Sequence, residues 1–312
     1  MSIIEEFLEH YEREYDYYCK LASITHEFCQ EWMNKNAIRG IVTSRGKSIQ
    51  SLREKIYFRA ASKDYRSMDD IYKDIVDLAG VRVALYFPSN FRDIDIILRR
   101  HLTLDRVLEF PIPNRDKIKR FRNDFERKNR GYVATHYRGY LNHNLLKSDQ
   151  HRFKNSRVEI QVATVLMHAW SEVEHDLVYK SRSGNLSLDE LTILDEINGI
   201  VAEGEKALLK LWQAGDHRLS QPANIIKNKY ELSALLHQYL DRFSEAGFWD
   251  INLGEVESLM EFLTAAGFDT TEKLENCFRI LPDDGQGSLC QALSDAVIQL
   301  NPEAKEYLGL FT

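Results

Sequence analysis

The sequence has 312 residues, of which 44% are hydrophobic and 29% charged, as in ordinary globular proteins. It contains no run of eighteen apolar residues and begins with an acidic stretch, so we expect neither a secretory signal nor a membrane span and predict a cytoplasmic protein. The four cysteines form no CxxC pair, which argues against a disulfide framework or a zinc motif and favours free thiols.

Charge is unevenly distributed along the chain. Residues 221–312 hold six Lys or Arg and fifteen Asp or Glu, so this tail is strongly acidic while the preceding residues are close to neutral or slightly basic. A body of that kind suits an enzyme for anionic substrates better than a general nucleic-acid-binding protein.

The first 180 residues mix helical and strand periodicity. Apolar and aromatic side chains recur every three or four positions over residues 3–36, which predicts a long helix whose aromatic stripe packs on a core. Strands are predicted over 38–43, 77–87, 104–110, 131–141 and 157–164, and helices over 48–60, 91–101 and 165–180. Strands mixed with flanking helices indicate an α+β (mixed α/β) sheet domain.

The remaining chain reads as helical. Ser187-Leu-Asp-Glu190 has the spacing of a capping box and opens a predicted helix over 187–212. The polar segment 216–224 contains Pro222 and predicts a boundary. Amphipathic stretches follow near 229–246, 254–266, 271–281 and 288–300. The predicted organisation is an N-terminal helix over 1–38, a sheet domain over 39–216 and a C-terminal helical region over 225–312.

A cluster of cations lies between the first predicted strand and the next helix. Ser44-Arg-Gly-Lys-Ser48 is not a P-loop, because five residues rather than four separate Gly40 from Gly46. Lys47, Ser51 and Lys55 are instead spaced by four, so they line one face at the start of a helix, with Arg45 just before it. Such a helix start can bind a polyphosphate, although a solvated basic face has the same spacing.

Two carboxylates open apolar strands. Asp77 begins the strand predicted over 77–87, and Glu159 lies in Val158-Glu-Ile-Gln-Val162. Acids that converge from neighbouring strands are suited to Mg²⁺, and one of them is suited to accepting a proton from a hydroxyl group. Acids at strand ends also serve as caps, so neither position alone assigns a function.

Residues 115–130 form a basic run with eight basic and three acidic side chains, which leads into Gly131-Tyr132. Before a strand, such a run is usually a mobile surface loop. Beside an exposed tyrosine it is also suited to neutralising phosphates while the ring stacks on a base.

Two metal motifs are considered on the helix predicted over 165–180 and rejected. His168, Glu172 and His175 share a face, but no further strong ligand accompanies them, so zinc is not expected. His175-Asp176 is the dipeptide of metal phosphohydrolases, but those enzymes need upstream His and Asp ligands that the short preceding chain does not supply.

Taken in chain order, four blocks resemble the RelA/SpoT nucleotidyltransferase family, specifically its small alarmone synthetases. The residues from Arg45 to Lys55 resemble RxKSxxSxxxK, Asp77-Leu-Ala-Gly-Val-Arg82 resembles D[IL]AGxR, and the residues from Lys128 to His136 resemble KxNGYxSxH. Glu159-Ile-Gln-Val-Ala-Thr164 resembles ExQxRT, and it is followed by the family's helix with Trp170, Glu174-His175 and Tyr179-Lys180.

The resemblance implies a five-stranded mixed sheet flanked by helices. It also implies that the chain transfers the β,γ-pyrophosphate of ATP to the 3′-hydroxyl of GTP or GDP, making (p)ppGpp. Asp77 and Glu159 would hold Mg²⁺, and Glu159 would also activate the hydroxyl. The implied ATP-binding residues are Arg45, Lys47, Ser51, Lys55 and Arg82. The implied acceptor-binding residues are Lys128, His136, Gln161 and Tyr132, which would stack on guanine. Relatives also suggest a homo-oligomer.

Three departures from the family pattern concern the acceptor side. Ala163 stands where ExQxRT has Arg, Arg130 where the family has Asn, and Ala134 where it has Ser. Acceptor identity therefore stays open, and a toxic synthetase acting on adenosine nucleotides or the 3′ end of tRNA is an alternative. An alternative of another class is a non-catalytic nucleotide-binding module, which the intact Asp77, Glu159 and Tyr132 disfavour.

Overall fold

The computed structural model describes residues 2–110, 128–129, 131–179, 186–219, 225–243, 253–281 and 288–308. The chain divides by its backbone contacts into two compact units. The first comprises Met1–Gln30, Gly40–Phe91 and Ile97–Glu205, and the second comprises Glu31–Arg39, Arg92–Ile96 and Lys206–Thr312. The predicted division into domains over 1–38, 39–216 and 225–312 stays a prediction.

Helices and strands follow the predicted order. They are α1 (Ile3–Lys35), β1 (Gly40–Gly46), α2 (Ile49–Ala60), α3 (Met68–Asp74), β2 (Ala79–Leu85), α4 (Phe91–His101), β3 (Leu102–Phe110), β4 (Ala134–Leu141), β5 (Val158–Thr164), α5 (Val165–Tyr179) and α6 (Leu188–Leu219). The sequence analysis missed α3, because its seven residues are too few to show helical periodicity. Helix α6 also continues to Leu219, past its predicted end at Trp212.

The five strands form one mixed sheet in the order β1-β2-β5-β4-β3. Strands β2 and β5 are parallel, and the other three neighbouring pairs are antiparallel. The predicted α+β class, with a five-stranded mixed sheet and flanking helices, is confirmed. Among the described helices, none is long and apolar enough to cross a membrane.

The first unit builds part of its core from α1, α2 and α3. Phe7 and Tyr11 of α1 are fully buried and pack with Leu52 and Ile56 of α2. The aromatic stripe of α1 is therefore a packing surface, as predicted. The hydroxyl of Tyr11 donates a 2.7 Å hydrogen bond to the carbonyl oxygen of Lys47, so this core also fixes the segment between β1 and α2.

The two faces of the sheet differ in polarity. Along β2, Ala79, Val81, Val83 and Leu85 are buried, and the residues between them are only partly buried. Because successive side chains point to opposite faces, the apolar residues cover one face and the other is left for Arg82 and its neighbours. In β5 the side chain that is not fully buried is Gln161.

The described part of the second unit is helical, as expected for the C-terminal region. Its helices are α7 (Lys229–Phe243), α8 (Val256–Ala265), α9 (Thr271–Phe278), α10 (Leu289–Leu300) and α11 (Lys305–Leu308). They enclose an apolar cluster that includes Leu236, Leu263, Leu274 and Leu293. All four cysteines of the chain are free thiols, as predicted.

Candidate active site

The segment that joins β1 to α2 brings two ammonium groups to one carboxylate. Lys47 Nζ lies 2.9 Å from Asp77 Oδ2, and Lys55 Nζ lies 2.7 Å from Asp77 Oδ1. Burial raises the pKa of Asp77, but the charges of Lys55 and Lys47 outweigh this effect, and its pKa lies below the usual value. Asp77 is therefore ionised at neutral pH, and each of its oxygens binds one ammonium group.

A helix cap explains why these lysines meet. Ser48 is the N-cap of α2, and its Oγ accepts a hydrogen bond from the backbone N–H of Ser51. Ser48 Oγ also donates to Ser51 Oγ at 2.9 Å. Because Lys47 stands just before this cap and Lys55 two turns after it, both reach the carboxylate that precedes β2. Of the residues implied to bind ATP, Lys47, Ser51 and Lys55 thus follow one another from just before α2 to its middle.

Glu159 lies at the start of β5 in a nearly closed polar environment, where only 3% of the residue is exposed. Arg138 Nε donates to its Oε1 at 2.7 Å, and Gln161 Nε2 donates to its Oε2 at 2.7 Å. His136 Nδ1 lies 3.8 Å from Oε1. Burial raises the pKa of Glu159, but His136, Arg138 and Gln161 together outweigh burial, and its pKa falls well below the ordinary range.

The structure brings the two predicted acids together. Asp77 stands two residues before β2, and Glu159 is the second residue of β5. These strands are parallel, with Gly80 beside Glu159. The negative charge of Glu159 raises the pKa of Asp77, so the two carboxylates are close enough to interact. Their role as Mg²⁺ ligands stays a prediction.

Two further cations implied to bind ATP lie on the same face of the sheet. Arg82 stands beside Gln161 in the β2–β5 pair, and its Nη2 forms an ion pair with Oε1 of Glu172 on α5. Arg45 stands beside Gly80 in the β1–β2 pair and is exposed. Arg82 is therefore held by a carboxylate, whereas Arg45 extends into solvent.

Three of the aromatic and imidazole rings near Glu159 form a cluster, namely Phe110, Tyr132 and His136. The rings of Tyr132 and His136 meet edge to face with centroids 6.2 Å apart, and Phe110 lies 4.5 Å from the ring of His136. Burial raises the pKa of Tyr132, and the charge of Glu159 adds to this rise. Tyr132 is half-buried, and it lies near enough to Glu159 to feel its charge.

The residues before Tyr132 are anchored to α6. Asp195 is buried on that helix, and its carboxylate accepts hydrogen bonds from the backbone N–H groups of Lys128 and Asn129 at 2.9 and 3.2 Å. The Lys128 side chain is exposed, and Gly131 takes a φ of 78°, which a glycine adopts without strain. Apart from Lys128 and Asn129, the basic run 115–130 lies outside the described residues, as do the side chains of Tyr179 and Lys180.

Sequence reasoning missed Arg138, Phe110 and Asp195. Arg138 had a signal, since it lies two residues after His136 in a predicted strand and therefore shares its face. Phe110 ends a predicted strand, and nothing in the sequence pairs it with His136. Asp195 is more than sixty residues from the segment that it binds, so no local pattern connects them.

His168, a member of the zinc motif considered above, makes a structural contact. His168 is buried, and its Nε2 lies 3.2 Å from the carbonyl oxygen of Val83, which ties α5 to β2. Within the described ranges there is no group of three or more His, Cys, Asp or Glu residues able to hold a metal ion. His168 is therefore a structural histidine.

His168 predicts a pH dependence of stability. Burial lowers its pKa from 6.5 to about 4, so its stabilising contribution is present above about pH 6.5 and is lost as the pH falls through 4. Up to about 3 kcal/mol of unfolding free energy should disappear over this interval. In His168→Gln, urea unfolding at pH 7 and pH 4.5 should differ less than in the wild type. Exposed His175→Gln should retain the wild-type difference, and an unchanged pH dependence in His168→Gln would contradict the assignment.

Known proteins are similar to the part of the chain that contains these residues. Residues 44–184 match the model of the region found in RelA and SpoT proteins. GTP pyrophosphokinase YwaC of Bacillus subtilis (strain 168) is 28% identical over 142 residues, which cover 44% of this chain and 57% of YwaC. The match therefore spans just over half the length of that relative.

Two solved structures are similar to the chain. A GTP pyrophosphokinase family protein from Streptococcus pneumoniae is 19% identical with a TM-score of 0.51, over 72% of this chain and 97% of that one. Small alarmone synthetase 1 from Bacillus subtilis is 19% identical with a TM-score of 0.49, over 65% and 96% of the two chains. The first of these structures shows a shared fold. Residues 44–184, which hold both acids, their lysines and the aromatic cluster, are therefore similar to the region found in RelA and SpoT proteins.

Proposed function

We propose that the chain transfers the β,γ-pyrophosphate of ATP to the 3′-hydroxyl of GTP or GDP and so makes (p)ppGpp. The observation that carries this proposal is the pair of ionised carboxylates, Asp77 and Glu159, beside cations at the start of α2. The similarity to GTP pyrophosphokinase YwaC supports the same reaction class.

Mg²⁺ is the cofactor that these acids suit. Carboxylate oxygens are the ligands that Mg²⁺ prefers, and both side chains have pKa values below the ordinary range, so they are ionised when a cation arrives. The two oxygens of Asp77 are each paired with a lysine. Lys47 and Lys55 would therefore have to exchange Asp77 for phosphate oxygens as ATP binds. Bound Mg²⁺ would neutralise charge on the phosphate oxygens.

The reaction needs positioning and charge neutralisation more than covalent help. Lys47 and Lys55 would grip the triphosphate, with Arg45 approaching from the next strand. The 3′-hydroxyl oxygen of the acceptor attacks the β-phosphorus, the bond from that phosphorus to the α,β-bridging oxygen breaks, and AMP leaves with the electron pair. Glu159 would accept the hydroxyl proton, and Arg138 and Gln161 keep its carboxylate oriented.

The acceptor would bind against the aromatic cluster. Tyr132 offers a partly accessible ring next to His136 and Phe110, and an aromatic face of this kind stacks on a nucleobase. Stacking accepts every base, so it does not by itself choose guanine over adenine. For this reason the acceptor is tested directly.

The test incubates the purified full chain with γ-³²P-ATP, Mg²⁺ and one of GDP, GTP, ATP or bulk tRNA. We expect label in a guanosine product with the wild-type chain, and a loss of at least about 100-fold in Asp77→Asn, because the amide binds neither Mg²⁺ nor the two lysines as an anion does. Exposed Glu12→Gln is the matched control and should keep the wild-type rate.

Each other outcome points to one alternative. Label in an adenosine product or in RNA would replace the guanine acceptor with the corresponding alternative. No label with any acceptor would favour the non-catalytic nucleotide-binding module. Full transfer by Asp77→Asn would remove Asp77 from the reaction.

A further inference from the structure

One row of residues crosses the sheet at the height of Glu159. Its members are paired from strand to strand, in the order Arg45, Gly80, Glu159, Arg138 and Arg106. Directly paired residues in neighbouring strands point to the same face of a sheet. Three guanidinium groups and one carboxylate therefore share this face, and the row is positive overall.

The pair formed by Arg106 and Arg138 is unusual because like charges face each other between β3 and β4. Such a pair is destabilising unless an anion compensates it. Glu159 compensates one side only, through Arg138 Nε. In the described part of the chain, no hydrogen bond or ion pair is found for the terminal nitrogens of Arg138 or for the side chain of Arg106.

The position of this pair distinguishes it from the cations at α2. Lys47 and Lys55 gather at Asp77, before β2, whereas Arg138 lies two residues after His136 in β4 and next to the far edge strand β3. The two arginines are thus on the side of Glu159 that carries Tyr132 and His136. Neither belongs to any of the four blocks that resemble the family.

The chemistry of the pair suits an oligophosphate. A planar guanidinium donates two parallel hydrogen bonds to phosphate oxygens, and two such groups at one point match several negative charges held close together. An RNA 3′ end presents one charge per phosphodiester, spread along the strand, and so matches the pair less well.

We infer that Arg106 and Arg138 bind the 5′-oligophosphate of the acceptor nucleotide and make the site prefer nucleoside di- or triphosphates to monophosphates and RNA ends. This inference rests on the proposed function, because it takes the Tyr132 side of Glu159 as the acceptor side. It adds a determinant of acceptor choice in a chain whose Ala163, Arg130 and Ala134 depart from the family pattern.

The test measures binding without reaction. Isothermal titration of the full chain with 3′-deoxyguanosine 5′-triphosphate and 5′-monophosphate, which lack the attacked hydroxyl, gives the preference for the longer phosphate. We expect the wild-type chain to prefer the triphosphate, and Arg106→Gln to reduce that preference about tenfold, the usual size for loss of a charge-assisted hydrogen bond. Arg138→Gln should reduce it too and also slow transfer, because it contacts Glu159.

Arg100→Gln is the matched control, since Arg100 is exposed at the end of α4 just before β3 and lies outside the row. It should keep the wild-type preference. An unchanged preference in Arg106→Gln overturns the inference, as does a wild-type chain that binds both analogues equally or binds neither. Tighter binding of a CCA-ended oligoribonucleotide than of the triphosphate overturns it in favour of RNA. Loss of transfer with the phosphate preference intact would reject the proposed function alone.

Discussion

Glu159→Gln is expected to lower the rate of pyrophosphate transfer by about 10² to 10⁴-fold while the chain stays folded. The glutamine has the shape of the glutamate but no negative charge, so it accepts neither the hydroxyl proton nor a metal ion. It also faces the donor groups of Arg138 and Gln161 with one oxygen instead of two. The variant should therefore lose the negative charge that Arg138 and Gln161 contact at the start of β5.

Single-turnover assays with labelled ATP would measure this loss, and circular dichroism would verify the fold. Glu109→Gln is the matched control, because Glu109 is an exposed residue of β3. It pairs with Thr135, the neighbour of His136 in β4, so it points to the face of the sheet opposite to that of His136. Its rate should stay at the wild-type level. A Glu159→Gln rate within threefold of the wild type would rule out Glu159 as the group that activates the acceptor.

Local spacing was enough to find the cation cluster. The four-residue spacing from Lys47 to Lys55 left a phosphate site and a solvated basic face equally open. The structure adds that both lysines reach Asp77, which a helix spacing cannot reveal because Asp77 lies more than twenty residues away. Sequence thus predicted the face of the helix, and tertiary pairing decided what that face contacts.

Two departures from the family pattern have a common physical explanation in the structure. Ala163 and Ala134 belong to one small buried cluster with Met167, against which Tyr132 and Val201 pack. Ala163 is fully buried, so an arginine there would have to displace its neighbours or leave its charge unpaired. The sequence showed each substitution separately, but only the fold shows that both alanines belong to the buried cluster on which Tyr132 packs.

Long-range anchors were beyond the reach of sequence patterns. Thr164 donates a 2.6 Å hydrogen bond to Glu205, and Asp195 holds the residues before Tyr132, so α6 contacts both the end of β5 and the segment that leads into β4. These partners are separated by forty to seventy residues, and neither Asp195 nor Glu205 lies in a recognisable motif. A capping box predicted where α6 begins, which is a local property, but not what its buried face binds.

Gly139→Ala is expected to destabilise the first unit by about 3 kcal/mol or more, through the close approach of β3 and β4. A Cβ at Gly139 would lie 2.3 Å from the carbonyl oxygen of Thr103 and 2.9 Å from Leu104 Cα. Both are backbone atoms, which cannot rotate away as a side chain can. The strands would have to separate where the register already shifts between Leu104 and Arg106, losing ladder hydrogen bonds.

Thermal unfolding followed by circular dichroism would show this effect as a fall in the melting temperature of roughly 6 to 12 °C. Gly215→Ala is the control of opposite sign: its Cβ would meet no atom within 4 Å, and alanine in a helix interior is favoured over glycine by up to about 1 kcal/mol. Because Arg138 is the neighbour of Gly139 in β4, separation of the strands would also move the guanidinium that holds Glu159. A Gly139→Ala chain with the melting temperature of the wild type would contradict this prediction, because a Cβ placed 2.3 Å from the carbonyl oxygen of Thr103 has to force β3 and β4 apart.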